Sequence, residues 1–271
     1  MTWAIKAFKY AERNSRTRQD SFILDGDHAS PHAMDYYVWL LERPDRRILV
    51  DCGYDSAEGR ARDRPVEQDP VAMLADAGIA ASSIDTVILT HLHYDHAGSL
   101  AAFPHAKLIV QEREMAYATG PCMCHDALRA PFTGAHVCDM VRALFDGRVR
   151  FVAGSAEVAP GVEVHLIGGH STGLQVVRVA TERGPVVLAS DATHYYENFL
   201  SGKPFPIVVD MAAMLAGFAT LRTLAGEDAR IVPGHDPLVR AAYPTLGSPN
   251  ILALHAPPKS GVWDARGRKC R

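Results

Sequence analysis

The segment THLHYDHAGS, residues 90–99, places four potential metal ligands within six positions: His91, His93, Asp95 and His96. These residues follow the apolar run TVILT, so a strand can aim alternate side chains at one point and the next loop can supply the others. Imidazole and carboxylate together suit first-row divalent metals such as zinc. The segment therefore predicts a metal site where a strand meets a loop, with a histidine-rich surface loop as the alternative.

Three later residues of ligand type occur in the same setting. His170 lies in LIGGHSTG, Asp191 ends PVVLASD, and His235 lies in RIVPGHDP, each beside an apolar run. Functional groups concentrate on loops that a rigid scaffold positions, and the glycines around His170 permit close backbone approach. These seven candidates exceed the ligands of one tetrahedral zinc. They indicate two metals that share a bridging carboxylate.

The elements that must position these side chains predict an α/β fold. The strand-like runs are YYVWLLE, RRILVD, TVILT, AKLIVQ, RVRFV, VEVHLIG, LQVVRVAT, PVVLASD and RIVPG. Short polar turns join the first two runs, and also LQVVRVAT and PVVLASD, which predicts two hairpins. Helical spacing appears in PVAMLADAG, EREMAYAT and DMAAMLAGFATLRTLAG, the last with an apolar stripe suited to packing on a sheet. Hairpins followed by mixed strands and helices favour two sheets flanked by helices.

The composition is that of an ordinary globular protein. The chain has 271 residues, 48% hydrophobic, and a formal net charge of −3, which gives no indication of nucleic-acid or membrane binding. We expect no membrane span and no signal peptide. Five cysteines without framework spacing suit the reducing cytoplasm. The expectation is one cytoplasmic domain over residues 1–271, with a loosely held tail from about residue 255.

The motifs HLHYDHAG, GGHSTG, SDATHYYENF and PGHDP, in this order and spacing, resemble those of the metallo-β-lactamase superfamily. Within it they are most similar to the dinuclear zinc N-acyl homoserine lactonases, the quorum-quenching enzymes. The resemblance extends from about Tyr36 to His235. It implies an αββα sandwich with the metals at one edge of the two sheets.

The resemblance also implies how the ligands divide between two Zn²⁺ ions per chain, although other first-row divalent metals stay open. The two ligand sets are His91, His93 and His170 for one ion, and Asp95, His96 and His235 for the other. Asp191 would bridge the pair. Asp51, in ILVDCG, would have a supporting role near the metals.

The activity that the resemblance implies is hydrolysis of a lactone, by attack of a hydroxide that bridges the metals. Two metals can lower the pKa of water to about 7, and Asp95 could carry the proton to the leaving alkoxide. The similar lactonases have a tyrosine three residues after the bridging aspartate, where this chain has His194. Either His194 or, after a small loop shift, Tyr195 would then contact the substrate carbonyl.

The expected partner is a small-molecule lactone, most simply an N-acyl homoserine lactone. Thioester or phosphodiester hydrolysis on the same metals is the alternative enzyme reading. A di-iron oxidoreductase would need a flavin domain for which the chain has no room, and a non-enzymatic metal protein would not need the complete ligand set. The sequence leaves the acyl chain, the ring size and the oligomeric state open, with a homodimer as the commonest closed assembly.

The segment PCMCHD is a weak candidate for a second metal site. It contains Cys122, Cys124, His125 and Asp126, but a Cys-x-Cys pair without a distant partner pair is poor evidence for zinc. A helix or loop beside the substrate pocket is the preferred interpretation. Cys52, beside Asp51, is expected to be a buried small apolar residue.

Overall fold

The strands of the computed structural model, which describes residues 2–261, form two sheets. The strands are β1 (Ala4–Arg13), β2 (Met34–Arg43), β3 (Arg46–Val50), β4 (Thr86–Ile88), β5 (Lys107–Gln111), β6 (Val149–Val152), β7 (Ser155–Ala159), β8 (Val162–Leu166), β9 (Gln175–Thr181), β10 (Gly184–Ser190), β11 (Ile231–Pro233), β12 (Thr245–Leu246) and β13 (Ser248–Ala253). The eight-stranded sheet has the order β12-β13-β1-β2-β3-β4-β5-β6, and the five-stranded sheet has the order β11-β10-β9-β8-β7.

The α-helices cover the sheets and their edges. They are α1 (Ser56–Ala61), α2 (Pro70–Asp76), α3 (Tyr94–Ala97), α4 (Glu112–Ala118), α5 (Asp126–Arg129), α6 (Gly134–Phe145), α7 (Tyr196–Ser201), α8 (Met211–Ala225) and α9 (Leu238–Ala242). Residues from α2, α4 and α6 share one hydrophobic cluster with the outer face of the larger sheet, and α8 packs on β10 and β11 of the smaller sheet. This layering confirms the predicted αββα sandwich.

The continuous apolar run of β2 is explained by burial on both faces. Trp39 and Leu41 point into the cluster that includes the smaller sheet, whereas Val38 and Leu40 point into the cluster with the helices, and all four are fully buried. Side chains alternate between the faces of a strand, so a strand covered on both sides needs apolar residues throughout. The predicted hairpins β2–β3 and β9–β10 are both antiparallel pairs.

Helix α8 confirms the predicted helix and refines its apolar stripe. Met214, Phe218 and Leu221 are buried, but Met211 and Leu215 are 39% and 41% exposed. The packed face is therefore narrower than the stripe in the sequence. The helix begins after Asp210, whose side chain accepts a hydrogen bond from the backbone N–H of Ala213.

All nine strand-like runs are strands, but the sequence analysis missed the strands β1, β7, β12 and β13 and the helices α1, α3, α6, α7 and α9. Strand β1 pairs with both β2 and β13. The tail that was expected to be loose from about residue 255 begins in contact with the fold: His255 Nδ1 lies 3.1 Å from the backbone nitrogen of Ile5, and the Lys259 N–H donates to Ala242. Residues 262–271 of that tail lie outside the described residues.

Within residues 2–261, no helix has both the length and the apolar content that crossing a bilayer requires. The expectation of a single domain stays a prediction.

Candidate metal centre

The structure brings the seven predicted ligands together at one edge of the sheets. His91 follows β4, Asp191 follows β10, and His235 lies two residues after β11. His170 lies in the loop between β8 and β9. The side chains include two sets whose ligand atoms all lie within 4.8 Å of one another, and the sets are His91, His93 and His170, and Asp95, His96 and His235. All seven side chains are buried. We call these seven residues the metal cluster.

Asp191 faces both ligand sets with different oxygens. Its Oδ2 lies 3.2 Å from His170 Nε2 and 3.9 Å from His91 Nε2. Its Oδ1 lies 3.0 Å from His235 Nε2 and 3.3 Å from His96 Nε2. A carboxylate in this position can donate one oxygen to each of two cations.

Unsatisfied polar atoms of the metal cluster fit a pair of divalent cations. Among the described residues, His91 Nε2, His96 Nε2 and Asp191 Oδ1 are buried without a hydrogen bond. His93 Nδ1 lies 3.0 Å from His170 Nε2, so two ring nitrogens face each other. Buried polar groups are normally paired, and imidazole nitrogens with a carboxylate oxygen are the donors that zinc-class metals prefer. The residues of the metal cluster therefore fit a pair of zinc-class cations.

The electrostatics of His91, His93 and Asp191 favour the forms that bind metals. Burial lowers the pKa of His91 and His93 well below the ordinary value, which keeps both imidazoles neutral. Burial alone would raise the pKa of Asp191, but the neighbouring His235 and His96 outweigh it and lower that pKa well below its usual range. Asp191 is therefore ionised. Burial alone would lower the pKa of His96 and His235, but the neighbouring Asp191 and Asp95 outweigh it and raise both pKa values.

Asp51 supports the metal cluster from beneath, as the resemblance implies. Its Oδ2 lies 2.7 Å from His96 Nδ1 and accepts a hydrogen bond from Thr90 Oγ1 at 2.8 Å. Its Oδ1 accepts the Thr90 N–H at 2.7 Å. With Nδ1 engaged by Asp51, the other ring nitrogen of His96 is directed at Asp191, which is how an outer carboxylate orients a ligating histidine.

Two further histidines are oriented by backbone carbonyls that the sequence analysis did not identify. His170 Nδ1 lies 2.7 Å from the carbonyl oxygen of Ile207, and His235 Nδ1 lies 2.8 Å from that of Asp35. Ile207 has a φ of 64°, a conformation that β-branched residues rarely adopt. The backbone strain at Ile207 accompanies the orientation of its carbonyl towards His170.

Glu114 joins the two loops that carry histidines. Its fully buried carboxylate accepts hydrogen bonds from the N–H of Leu92 (2.9 Å), the hydroxyl of Ser171 (2.5 Å) and the N–H of Gly173 (3.0 Å). A Cβ added to Gly173 would lie 2.1 Å from the Glu114 backbone nitrogen, so the loop can approach this closely only with glycine there. In the sequence, the one feature that could have identified Glu114 was the position of an acidic residue on the buried face of the predicted helix EREMAYAT.

His194 and Tyr195, the two candidates for contact with substrate, have different positions. His194 Nε2 lies 2.9 Å from Asp191 Oδ2, and its ring stacks on Phe205 at 3.8 Å between centroids. Burial lowers the pKa of His194 to about 3, so its ring is neutral at neutral pH. Tyr195 instead accepts a hydrogen bond from Ser21 Oγ at 3.3 Å, and its ring packs on His32. This placement turns Tyr195 away from Asp191 and towards residues of the N-terminal loop.

Two cavities meet at the metal cluster. The first, of about 170 Å³, includes His93, Asp95, His170, Asp191, His194 and His235 in its lining. The second, of about 290 Å³, shares His93 and His170 and is otherwise lined mainly by apolar side chains. Ala127 of α5, the residue that follows PCMCHD, borders both cavities, whereas residues 121–126 are absent from the described lining of both. The interpretation of PCMCHD as a segment beside the substrate pocket stays a prediction. Cys52 is buried, as expected.

The chain is similar to known proteins over most of its length. The sequence profile of the metallo-beta-lactamase superfamily matches residues 34–235. An N-acyl homoserine lactonase from a Bacillus species is 28% identical over 235 residues, which are 78% of this chain and 88% of that protein. The N-acyl homoserine lactonase of Bacillus cereus is 29% identical over 216 residues, 74% of this chain and 80% of that protein.

A solved structure of an N-acyl homoserine lactone hydrolase, with the product N-hexanoyl-L-homoserine at its catalytic metal centre, has the same fold. The TM-score is 0.72 at 25% sequence identity, and the match covers 88% of this chain and 95% of that chain. These relatives are lactonases, which hydrolyse an ester bond, in agreement with the class of hydrolase predicted from the motifs. The chain belongs to the metallo-β-lactamase superfamily.

Proposed function

We propose that this protein is a dinuclear, zinc-class hydrolase that opens a lactone ring, either of an N-acyl homoserine lactone or of a related lactone. The observation that carries the proposal is the position of Asp191, whose two oxygens face the two ligand sets of the metal cluster. The similarity to N-acyl homoserine lactonases supports the reaction. The buried ligand atoms without hydrogen bonds support the binding of metals. A pair of divalent metals bound there would provide Lewis acidity towards an ester carbonyl and an acidified water.

Asp95 is the group that we assign to proton transfer. It lines the first cavity, and its Oδ2 lies 3.7 Å from His96 Nε2 and 3.8 Å from His235 Nε2. Opening of the ring turns the ring oxygen into an alkoxide, which needs a proton. A carboxylate on the cavity wall can deliver that proton from solvent to the leaving oxygen.

His194 is assigned a positioning role towards Asp191. A neutral imidazole has one N–H, and with that proton on Nε2 it donates to Asp191 Oδ2. Contact with the substrate carbonyl, the role expected from the sequence, would require the proton on Nδ1, which is buried and has no hydrogen-bond partner among the described residues. The two tautomers thus correspond to two roles, positioning of Asp191 and contact with the substrate carbonyl. The variant His194→Ala can distinguish these roles.

The second cavity suits an apolar substituent on the lactone. Its lining includes Tyr117, Leu128, Val208 and Val209, and it reaches the metal cluster at His93. A lactone carbonyl held at the metal cluster could therefore extend an acyl group into this space. Mostly apolar pockets with a few convergent polar groups are typical of small-molecule sites.

The direct test is a comparison of ester classes with the zinc-loaded protein. Hydrolysis of an N-acyl homoserine lactone, a simple γ-lactone, a thioester and a phosphodiester would be followed by proton release or product analysis. We expect kcat/KM for at least one lactone to exceed that for the thioester and the phosphodiester by about tenfold or more, which corresponds to about 1.4 kcal/mol of transition-state stabilisation. A thioester or phosphodiester as the best substrate would contradict lactone opening.

The role of His194 is tested by His194→Ala, with Tyr195→Phe as the matched control. If His194 positions Asp191, the alanine variant should lose metal affinity by about tenfold to a hundredfold, the usual effect of removing an outer partner. Tyr195→Phe removes only an acceptor for Ser21 and should retain both metal and turnover. A fall in kcat with unchanged metal affinity in His194→Ala would assign His194 to the substrate carbonyl instead.

A further inference from the structure

The first cavity carries an unusual concentration of arginine. Arg13, Arg16, Arg62 and Arg64 all line it, together with residues of the metal cluster. They come from the end of β1, the loop after β1 and the segment after α1. Their convergence is therefore a product of the tertiary fold.

Among the described residues, one of these four arginines is paired with a carboxylate. Arg62 pairs with Glu58 at 2.5 Å and donates to the carbonyl oxygens of Ala130 and Phe132. By contrast, no carboxylate among the described residues lies within 4.0 Å of the guanidinium nitrogens of the remaining three. We call these three residues, Arg13, Arg16 and Arg64, the arginine cluster.

Arg16 and Arg64 are held in place by contacts that leave their charges available. Arg64 Nη1 donates to the hydroxyl of Tyr94, and its guanidinium lies 5.0 Å from the Tyr94 ring centroid. Arg16 donates through Nη2 to the backbone oxygen of Asp20, whereas its Nε is buried and makes no hydrogen bond among the described residues. A buried N–H of a charged group without a partner is costly, which indicates that a ligand acceptor satisfies it.

The arginine cluster lies next to the metal cluster. Tyr94, which holds Arg64, is adjacent in sequence to Asp95. The Tyr94 hydroxyl lies 3.4 Å from the hydroxyl of Tyr36, whose ring centroid is 5.1 Å from that of His235. Outside the metal cluster, the acidic residue in the described lining is Asp20, and its carboxylate already accepts the Thr17 N–H at 2.9 Å.

We propose that the substrate is a lactone that carries a carboxylate, and that Arg13, Arg16 and Arg64 bind this carboxylate beside the metal cluster. The proposal rests on the proposed lactone hydrolysis and names its substrate class. Guanidinium groups match a carboxylate with two parallel hydrogen bonds, and such charge-assisted bonds are about twice as strong as neutral ones. A neutral N-acyl homoserine lactone would leave the three guanidinium groups without an anion.

The arginine cluster lines the smaller of the two cavities that meet at the metal cluster. The volume of this cavity is about 170 Å³, and the second cavity has about 290 Å³ and a mainly apolar lining. A lactone ring with one carboxylate suits the first cavity, and the second cavity stays available to an apolar substituent. The histidine at position 194, where similar lactonases have tyrosine, agrees with a substrate that differs from theirs.

The test uses two lactones that differ only in charge. One is γ-butyrolactone with a carboxylate on the ring carbon next to the ring oxygen, and the other has a carboxamide at that carbon. With zinc-loaded wild-type protein, we expect kcat/KM for the carboxylate to exceed that for the carboxamide by about tenfold or more, and to fall as ionic strength rises. Equal values for the two lactones at low salt would overturn the proposal.

Variants assign the preference to the arginine cluster. Arg13→Gln and Arg64→Gln should each reduce kcat/KM for the carboxylate about tenfold more than for the carboxamide, and Arg64→Lys should retain part of the preference. The matched control is Arg60→Gln, an exposed arginine of α1 outside the cavity lining, which should change neither value. Equal losses on both lactones in the two glutamine variants would reduce the arginines to a structural role and overturn the proposal.

A binding measurement separates this proposal from the proposed function. Tetrahydrofuran carboxylate and its carboxamide have no lactone carbonyl, so calorimetry with zinc-loaded protein reports on binding without hydrolysis. A carboxylate can also bind zinc, so the comparison of wild type with Arg64→Gln identifies the part of the affinity that depends on the arginine cluster. Binding of the carboxylate that weakens about tenfold in Arg64→Gln supports the arginine site, even where no lactone is hydrolysed and the proposed function fails. Hydrolysis of lactones with no preference for the carboxylate analogue leaves the proposed function standing and overturns the arginine site.

Discussion

The metal cluster and the arginine cluster line one cavity but are built in opposite ways. Each ligand of the metal cluster lies at or near the end of a strand or in the loop beside it, and several are tied to an outer acceptor such as Asp51. The arginine cluster comes from three surface segments and lacks carboxylate partners among the described residues. Under the two proposals, the reaction would depend on metal ligands that outer hydrogen bonds hold rigidly, whereas the choice of substrate would depend on arginines whose charge an external anion neutralises.

The largest expected effect comes from removing the shared ligand. Asp191→Asn should reduce the metal content from about two ions per chain to less than about one, because a single carboxylate serves both ligand sets. The loss of turnover should exceed the roughly tenfold to hundredfold loss typical of an outer partner. Mass spectrometry of bound metals and kcat/KM measure the two effects.

Asp146→Asn, on the exposed surface after α6, is the control for Asp191→Asn and should retain both metals. If Asp191→Asn kept two metals and its turnover, the contrast between the clusters would be broken. Asp191 would then be an ordinary buried acid, and the dinuclear reading would lose its main support.

A smaller effect is expected from the loss of Glu114, which is not a metal ligand but holds the two loops that carry histidine ligands. Glu114→Ala leaves the N–H groups of Leu92 and Gly173 and the hydroxyl of Ser171 without their acceptor. Each unsatisfied buried group costs about 1–3 kcal/mol, so we expect the free energy of unfolding to fall by about 3 kcal/mol or more. A urea titration with the zinc-loaded protein measures it.

The control for Glu114→Ala lies on the same helix. Glu112→Ala replaces an exposed residue and should change the free energy of unfolding by less than about 0.5 kcal/mol. If Glu114→Ala matched this control, the two histidine loops would be held by other contacts and Glu114 would not be part of the rigid support.

The same contrast explains how far the sequence could predict the molecule. Metal ligands such as His91, Asp191 and His235 were recognisable because each lies beside an apolar run, where a strand end fixes its position. The carbonyl of Ile207 could not be predicted as a partner of His170, because any residue type supplies a carbonyl and the pairing depends on the path of a loop. Glu114 could be recognised only weakly, as an acidic residue on the buried face of a predicted helix.

The directions of side chains could not be predicted from the sequence either. His194 and Tyr195 are neighbours, yet one lies against Asp191 and the other against Ser21. Arg13 and Arg64 belong to no motif and meet only after β1 and the segment after α1 are brought together. The apolar pattern therefore predicted two sheets flanked by helices, and the resemblance implied the αββα sandwich and the division of the ligands, whereas the substrate-facing surface required the structure. Strand β1 was missed although its residues alternate between the two hydrophobic clusters.

The smallest effect concerns the N-terminal loop, residues 14–33, which supplies Arg16 to the cavity. His32 attaches this loop to the fold, with its ring centroid 4.3 Å from that of Tyr195 and 5.0 Å from that of Phe22. Burial lowers the pKa of His32 from 6.5 to about 4. The folded protein thus holds His32 neutral, while the unfolded chain takes up a proton below about pH 6.5.

This shift makes the attachment of the loop sensitive to acid. Stability from His32 is complete above pH 6.5 and is lost as the pH falls towards 4, because only the unfolded state binds the proton in that window. We expect the wild type to lose about 1–2 kcal/mol more than His32→Phe between about pH 7 and pH 5, since one pKa unit corresponds to about 1.4 kcal/mol. Urea titrations at the two pH values measure this difference, with His28→Phe on the exposed part of the same loop as the control. An equal acid loss in wild type and His32→Phe would show that folding does not lower the pKa of His32, and the contrast between the two sides of the cavity would not extend to their acid stability.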